Sequence, residues 1–179
     1  MNIAATELVK KNCIESKRIK TKQIFVIRLT KLVCFFFSLL LVSQQAFAEP
    51  VSTSRNNSVI GKHDVVAYHE DNSAVKGDKV FIHQWKGADW YFANEKHRDL
   101  FAANPDKYSP AYNGFCSNAL SLGKGLVKTN GKVWHIWKNQ LHTFYAKKGK
   151  QRWLDNDYET MVADADKEWE KELLKLGVK

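Results

Sequence analysis

His83-Gln84-Trp85-Lys86-Gly87-Ala88-Asp89-Trp90-Tyr91-Phe92 decides the fold. Val80 to Trp85 alternates as a strand, with Phe81, His83 and Trp85 on one face and Ile82 and Gln84 on the other. Lys86 to Asp89 forms a hairpin turn, and Trp90-Tyr91-Phe92 is the return strand. A helix follows. Asn94 is its N-cap, Glu95 suits its first turn, and Leu100 and Phe101 face inward. Pro105 ends it.

The same pattern recurs 52 positions later. Residues 83–101 slide onto 135–153 without a gap, matching His83 with His135, Trp85 with Trp137, Lys86 with Lys138, Phe92 with Phe144 and Lys96 with Lys148. Phe101 meets Trp153, and the turn residue Gly87 meets Asn139. Most of the matched residues are aromatics and His, which are rare, so the match points to a duplicated hairpin–helix unit. In the second copy Val133 to Trp137 and Leu141 to Tyr145 are strands, and a short helix runs from Ala146 to Leu154. The predicted fold is α+β: a small antiparallel sheet built from both hairpins, with helices packed against it. Asn156 and Glu159 have capping-box spacing before a C-terminal amphipathic helix. Its apolar stripe is Tyr158, Met161, Val162, Ala165, Trp169, Leu173 and Leu176, and Gly177 closes it.

Upstream, Gly61-Lys62-His63-Asp64 opens a short predicted strand, Val65 to Tyr68. Residues 49–60 are Ser/Asn-rich and read as a flexible lead-in to a domain spanning 61–179. Pro105 to Pro110 is a compact loop or helical turn, and Ser117 to Leu122 leans to helix. Between the two copies lies Tyr112-Asn113-Gly114-Phe115-Cys116, an Asn-Gly turn that holds a thiol in place.

Residues 1–48 read as a cleaved signal peptide. A basic region leads into the apolar run Leu32 to Val42, and Ala46-Phe47-Ala48 is a small-x-small cleavage site. The apolar run is short for a membrane span, so no stable anchor is expected after cleavage, and the expected location is the periplasm or outside the cell. This leader carries eight of the 28 Lys and Arg and two of the 19 Asp and Glu. The remainder has a net charge of +3 rather than +9. The basic balance therefore gives no support to a nucleic-acid partner. Cys13 and Cys34 also leave with the leader, so the exported domain keeps Cys116 alone. A lone thiol in an oxidising compartment is buried, metal-bound, reactive or paired with another molecule.

Thiolate and imidazole favour soft or borderline metals such as Cu(I) and Zn. The six His are His63, His69, His83, His97, His135 and His142, and no pair has close metal-ligand spacing. The fold would have to assemble a site. His83 and His135 are candidates because the repeat makes them equivalent, and His63-Asp64 because a ligand pair suits the entry to an element. His69, His97 and His142 read as surface residues. Cys116 with His63 or His83 and Asp64 would also supply the parts of a nucleophilic or redox thiol. A third reading is an adaptor with Cys116 as core packing.

Gly61-Lys62-His63-Asp64-Val65-Val66-Ala67-Tyr68 resembles the opening of exported YHS-domain proteins. So do Ala74-Val75-Lys76-Gly77, the His83 to Phe92 hairpin, Arg98-Asp99-x-Phe101-x-x-Asn104-Pro105-x-x-Tyr108 and Tyr112-x-Gly114-Phe115-Cys116. Asn118 to Gly123 and Leu141 to Leu154 are similar to one branch of that family. The resemblance implies a small α+β domain of the bacterial cell envelope, more a binder than an enzyme. By the company YHS domains keep, it implies a bound metal, and the match carries over Cys116, His83 and the His63-Asp64 pair; the repeat adds His135, and the ligand chemistry points to a Cu or Zn ion. An envelope protein is the other expected partner.

Overall fold

The computed structural model describes residues 48–178. The signal-peptide reading, apart from Ala48, lies outside the described residues, as do Cys13 and Cys34. No described helix is long and apolar enough to cross a membrane.

The fold is α+β. In chain order the elements are α1 (Val65–Glu70), β1 (Asp78–Trp85), β2 (Ala88–Phe92), α2 (Glu95–Ala103), α3 (Pro105–Tyr108), α4 (Ser117–Leu120), β3 (Val133–Trp137), β4 (Gln140–Phe144), α5 (Lys147–Leu154) and α6 (Tyr158–Lys175). Two short 3-10 turns, Ile60–Lys62 and Ala111–Gly114, precede α1 and α4. The hairpins β1–β2 and β3–β4 remain separate two-stranded antiparallel sheets, not the single sheet expected. Other segments bridge to their return strands: Ser58 pairs with Asp89, and Cys116 with Thr143.

The predicted strand Val65 to Tyr68 is helix. Asp64 caps it, accepting from the backbone N–H groups of Val66 (2.9 Å) and Ala67 (3.2 Å). Val65, Val66, Ala67 and Tyr68 are all buried, so the run carries no alternation that would separate a strand from a helix. The capping residue of α6 is Asp157, one position beyond the expected Asn156, with its carboxylate accepting from Thr160 N at 3.0 Å. The lead-in is bonded into the domain. Ser52 N donates to Asn113 O (3.0 Å), Val59 N donates to Asp89 O (3.1 Å), and Val59 and Ile60 join the core.

The correspondence between the two halves is geometric and extends well upstream of residue 83. Ile60, Gly61 and Lys62 have left-handed φ, and so do Tyr112, Asn113 and Gly114, 52 positions on. The Asp64 N–H donates to Val75 O (2.9 Å), and the Cys116 N–H donates to Val127 O (2.8 Å). His63 bridges to Lys76, and Phe115 bridges to Lys128. Both hairpin turns use two left-handed residues, Lys86-Gly87 and Lys138-Asn139. Each copy centres its own aromatic core. Phe92 meets Phe101 at 5.2 Å between ring centroids, and Phe144 meets Trp153 at 5.5 Å.

Candidate functional site

Where the two copies differ, their chemistry differs. In the first copy the elbow before α1 carries Asp64, which is fully buried. Besides capping α1, its Oδ2 accepts from Ala93 N (2.8 Å) and lies 2.7 Å from His97 Nδ1. His97 was expected at the surface, yet it is buried at the start of α2, with its Nε2 4.0 Å from an Asp71 carboxylate oxygen. In the second copy Cys116 takes the place of Asp64. Its Sγ accepts from Tyr145 N at 3.3 Å, and Tyr145 is the counterpart of Ala93. Gly149 stands where His97 would be. The thiol is thus a buried clamp between the elbow and the end of β4, and the only free cysteine among the described residues.

The remaining sequence candidates are dispersed. His63 is buried, with Nδ1 3.1 Å from Ile60 O, and burial holds its imidazole below the usual histidine range. His83 lies opposite Trp90 across β1–β2, with its ring edge-on to Phe101 at 5.8 Å. His135 lies on β3, directly opposite His142. Among the described residues no group of three or more His, Cys, Asp and Glu side chains is placed to hold a metal ion. Cys116, His83, His63, Asp64 and His135 are therefore not gathered into one centre.

A concave site lies in the second copy instead. A cleft of about 340 Å³ opens between the β3–β4 hairpin and α6, lined by Tyr112, Trp137, Gln140, His142, Asp166 and Trp169 among others. That volume falls in the range of small-ligand pockets. Tyr112 comes from the left-handed elbow before Cys116. Its hydroxyl donates to Asp166 Oδ1 at 2.8 Å, and its ring lies 5.9 Å from Trp169 and 6.1 Å from His142. Burial and the adjacent Asp166 carboxylate push the Tyr112 hydroxyl well above the usual tyrosine range.

His142 is 2% exposed, although its polarity pointed to the surface. Its Nδ1 is 3.1 Å from Ser117 Oγ. Burial, with the neighbouring His135, pushes its pKa down to about 4, so the imidazole is neutral at pH 7. It occupies the position of Trp90. That tryptophan stacks on Phe101 at 5.0 Å, and His142 packs on Trp153 at 5.2 Å. Carrying the 52-residue offset onto β4 would have marked it as an inward residue. Gln140 is anchored by its Nε2 to Ser109 O (3.0 Å), and Lys138 is paired with Glu159. The cleft thus offers aromatic walls, the Asp166 carboxylate, a neutral imidazole and the Lys138 ammonium, which lies 4.6 Å over the Trp137 ring.

No family profile, curated protein or solved structure matches this chain.

Proposed function

We propose that this domain is a non-catalytic, YHS-like binding module exported to the bacterial envelope, and that it takes a small organic cation in the cleft beside α6. The observation that carries this reading is the cleft itself, where the rings of Tyr112 and Trp169 line a site with the Asp166 carboxylate at its edge, while the Lys138 ammonium already covers the Trp137 ring at 4.6 Å. Aromatic faces and a carboxylate attract a cation together, and the apolar walls suit an alkylated ammonium better than a hydrated ion. The resemblance to exported YHS-domain proteins and the leader-like residues 1–48 support the envelope location. The test is a tryptophan-fluorescence titration with choline. Saturable binding that weakens at least tenfold in Trp169→Ala and in Asp166→Asn is expected. A flat titration of the parent chain overturns the reading.

A second reading keeps a soft metal, Cu(I) or Zn, as the ligand. The observation favouring it is the pairing of His135 with His142, directly opposite each other across β3–β4 and both held below the usual histidine range by burial. Neutral imidazole is the form that ligates. Titration against a competing chelator separates the sites. Loss of binding in His135→Ala but not in Cys116→Ser supports the histidine pair, and the reverse restores Cys116 as the ligand.

A further inference from the structure

A second concavity, of about 360 Å³, runs between β3 and α5 and is lined by Lys132, Trp134, Lys147, Lys150, Gln151 and Leu154. It shares no wall with the aromatic cleft, so its chemistry is independent of any cation bound there. None of these three lysines belongs to an ion pair among the described residues. Trp134 forms the apolar part of the groove. Its ring meets Tyr68 at 5.0 Å, and the Lys150 ammonium lies 6.0 Å from its centroid.

The duplication supplies an internal control. The first copy carries Val80, Ile82, Glu95, Arg98 and Asp99 where the second carries Lys132, Trp134, Lys147, Lys150 and Gln151. There Arg98 is neutralised, donating to Glu95 Oε1 at 2.8 Å and to Asp99 Oδ1 at 2.8 Å. At the same place on the same fold, the formal charge of these positions changes from −1 to +3. Both carboxylates are gone, the valine is a lysine, and the isoleucine is a tryptophan. Packing alone does not account for this. Lys132 and Lys147 are exposed and Lys150 half-buried, so the groove presents three positive charges to whatever enters it.

We propose that the groove between β3 and α5 binds a phosphate-bearing anion with an apolar or planar portion, the phosphate among Lys132, Lys147 and Lys150 and the apolar portion against Trp134. Lysines act here as point charges that do not demand a fixed fork geometry, which suits a phosphate group. The positive field reaches the neighbouring elbow, where burial together with Lys132 and Lys62 holds the Lys76 ammonium below its usual value. A free phosphorylated molecule and a lipid headgroup offer the same chemistry, so both are tested.

The experiment uses the full chain. Phenyl phosphate is titrated by calorimetry, and sedimentation is measured with phosphatidylglycerol vesicles against phosphatidylcholine vesicles. Binding that weakens with added salt and falls at least tenfold in Lys150→Ala is expected. The double variant Lys147→Glu/Gln151→Asp rebuilds the carboxylate pair of the first copy and should abolish binding while leaving the circular dichroism unchanged. Lys167→Ala, at an exposed position of α6, should bind like the parent. Phenyl phosphate binding identifies a free ligand; binding only to phosphatidylglycerol identifies a headgroup. Overturning results are no binding to either probe, binding undiminished in the double variant, or tighter binding to a DNA duplex with the same variant sensitivity.

Discussion

Replacing Asp64 should unsettle the fold far more than replacing Cys116, although both sit at the same point of the repeat. Asp64→Ala removes the cap of α1, worth about 1 kcal/mol. It strands the Ala93 N–H and takes the carboxylate away from His97, a further loss of about 2–4 kcal/mol together. Removing a buried carboxylate returns part of its desolvation cost, which leaves a net loss of about 3–4 kcal/mol. Cys116→Ala removes one sulfur acceptor from the N–H of Tyr145, an exposed residue, and should cost about 1 kcal/mol. Urea unfolding followed by tryptophan fluorescence reads both. At a slope of about 2 kcal/mol per molar, the Asp64→Ala midpoint should fall by about 1.5–2 M and that of Cys116→Ala by about 0.5 M. Asp64→Asn should lie between them, since the amide can serve the α1 N–H groups but not Ala93 as well. Equal midpoints for Asp64→Ala and Cys116→Ala would refute the reasoning.

Three further outcomes are expected. The folded chain disfavours protonated His142, so the unfolded chain takes up the proton first; stability is full above the ordinary value of 6.5 and declines towards pH 4. The loss from this group is about 3 kcal/mol, and His142→Asn should flatten the pH–stability curve between those limits without abolishing its slope, because His63, His69 and His135 are depressed in the same direction. Gly131→Ala should cost about 2–3 kcal/mol in denaturant unfolding, since its Cβ would lie 2.6 Å from the Tyr68 hydroxyl and 2.8 Å from His63 Nδ1 at a φ of +77. Trp153→Ala should cost about 3–5 kcal/mol and broaden the near-ultraviolet signal, because its fully buried ring packs on His142, Phe144 and Tyr158.

The hairpins and the helices after them were legible because their turn residues and aromatics recur at a fixed 52-residue interval. What escaped was fixed by tertiary placement. Four apolar residues in a row, Val65 to Tyr68, have no usable period, and only the bonds that Asp64 makes in space settle them as helix. His97 and His142 carry the polarity of surface residues, yet a carboxylate from an element 33 positions away buries the first and a serine 25 positions away the second. The signal for His142 was present: it aligns with Trp90. The signal for Cys116 was present too. Extending the alignment back from residue 83 adds Ala67 with Ala119, Val75 with Val127 and Lys76 with Lys128, and it sets Cys116 on Asp64. A cysteine in the place of a capping aspartate reads first as a clamp.

The two copies have diverged in one direction. In the first, each polar group at the compared positions is answered from within: Asp64 by His97 and three backbone N–H groups, Arg98 by Glu95 and Asp99. Trp90 fills its place against Phe101 with a full ring system and donates its indole N–H to Trp85 O at 2.9 Å. In the second, those answers have been withdrawn. Gly149 replaces His97, Lys147 and Gln151 replace the two acids, and the smaller His142 replaces Trp90 beside the cleft. A copy evolving only for stability would keep satisfied pairs and large buried rings, because unanswered charge and lost packing both cost free energy. The halves share a core, since Leu141 joins the first cluster with Trp134 and Ile136 packed against it, and Tyr68 ties them through its bond to Gly131 O at 2.7 Å. The two halves differ in this way: the cleft and the lysine groove both lie in the second, where Lys147 and Gln151 stand in place of Glu95 and Asp99.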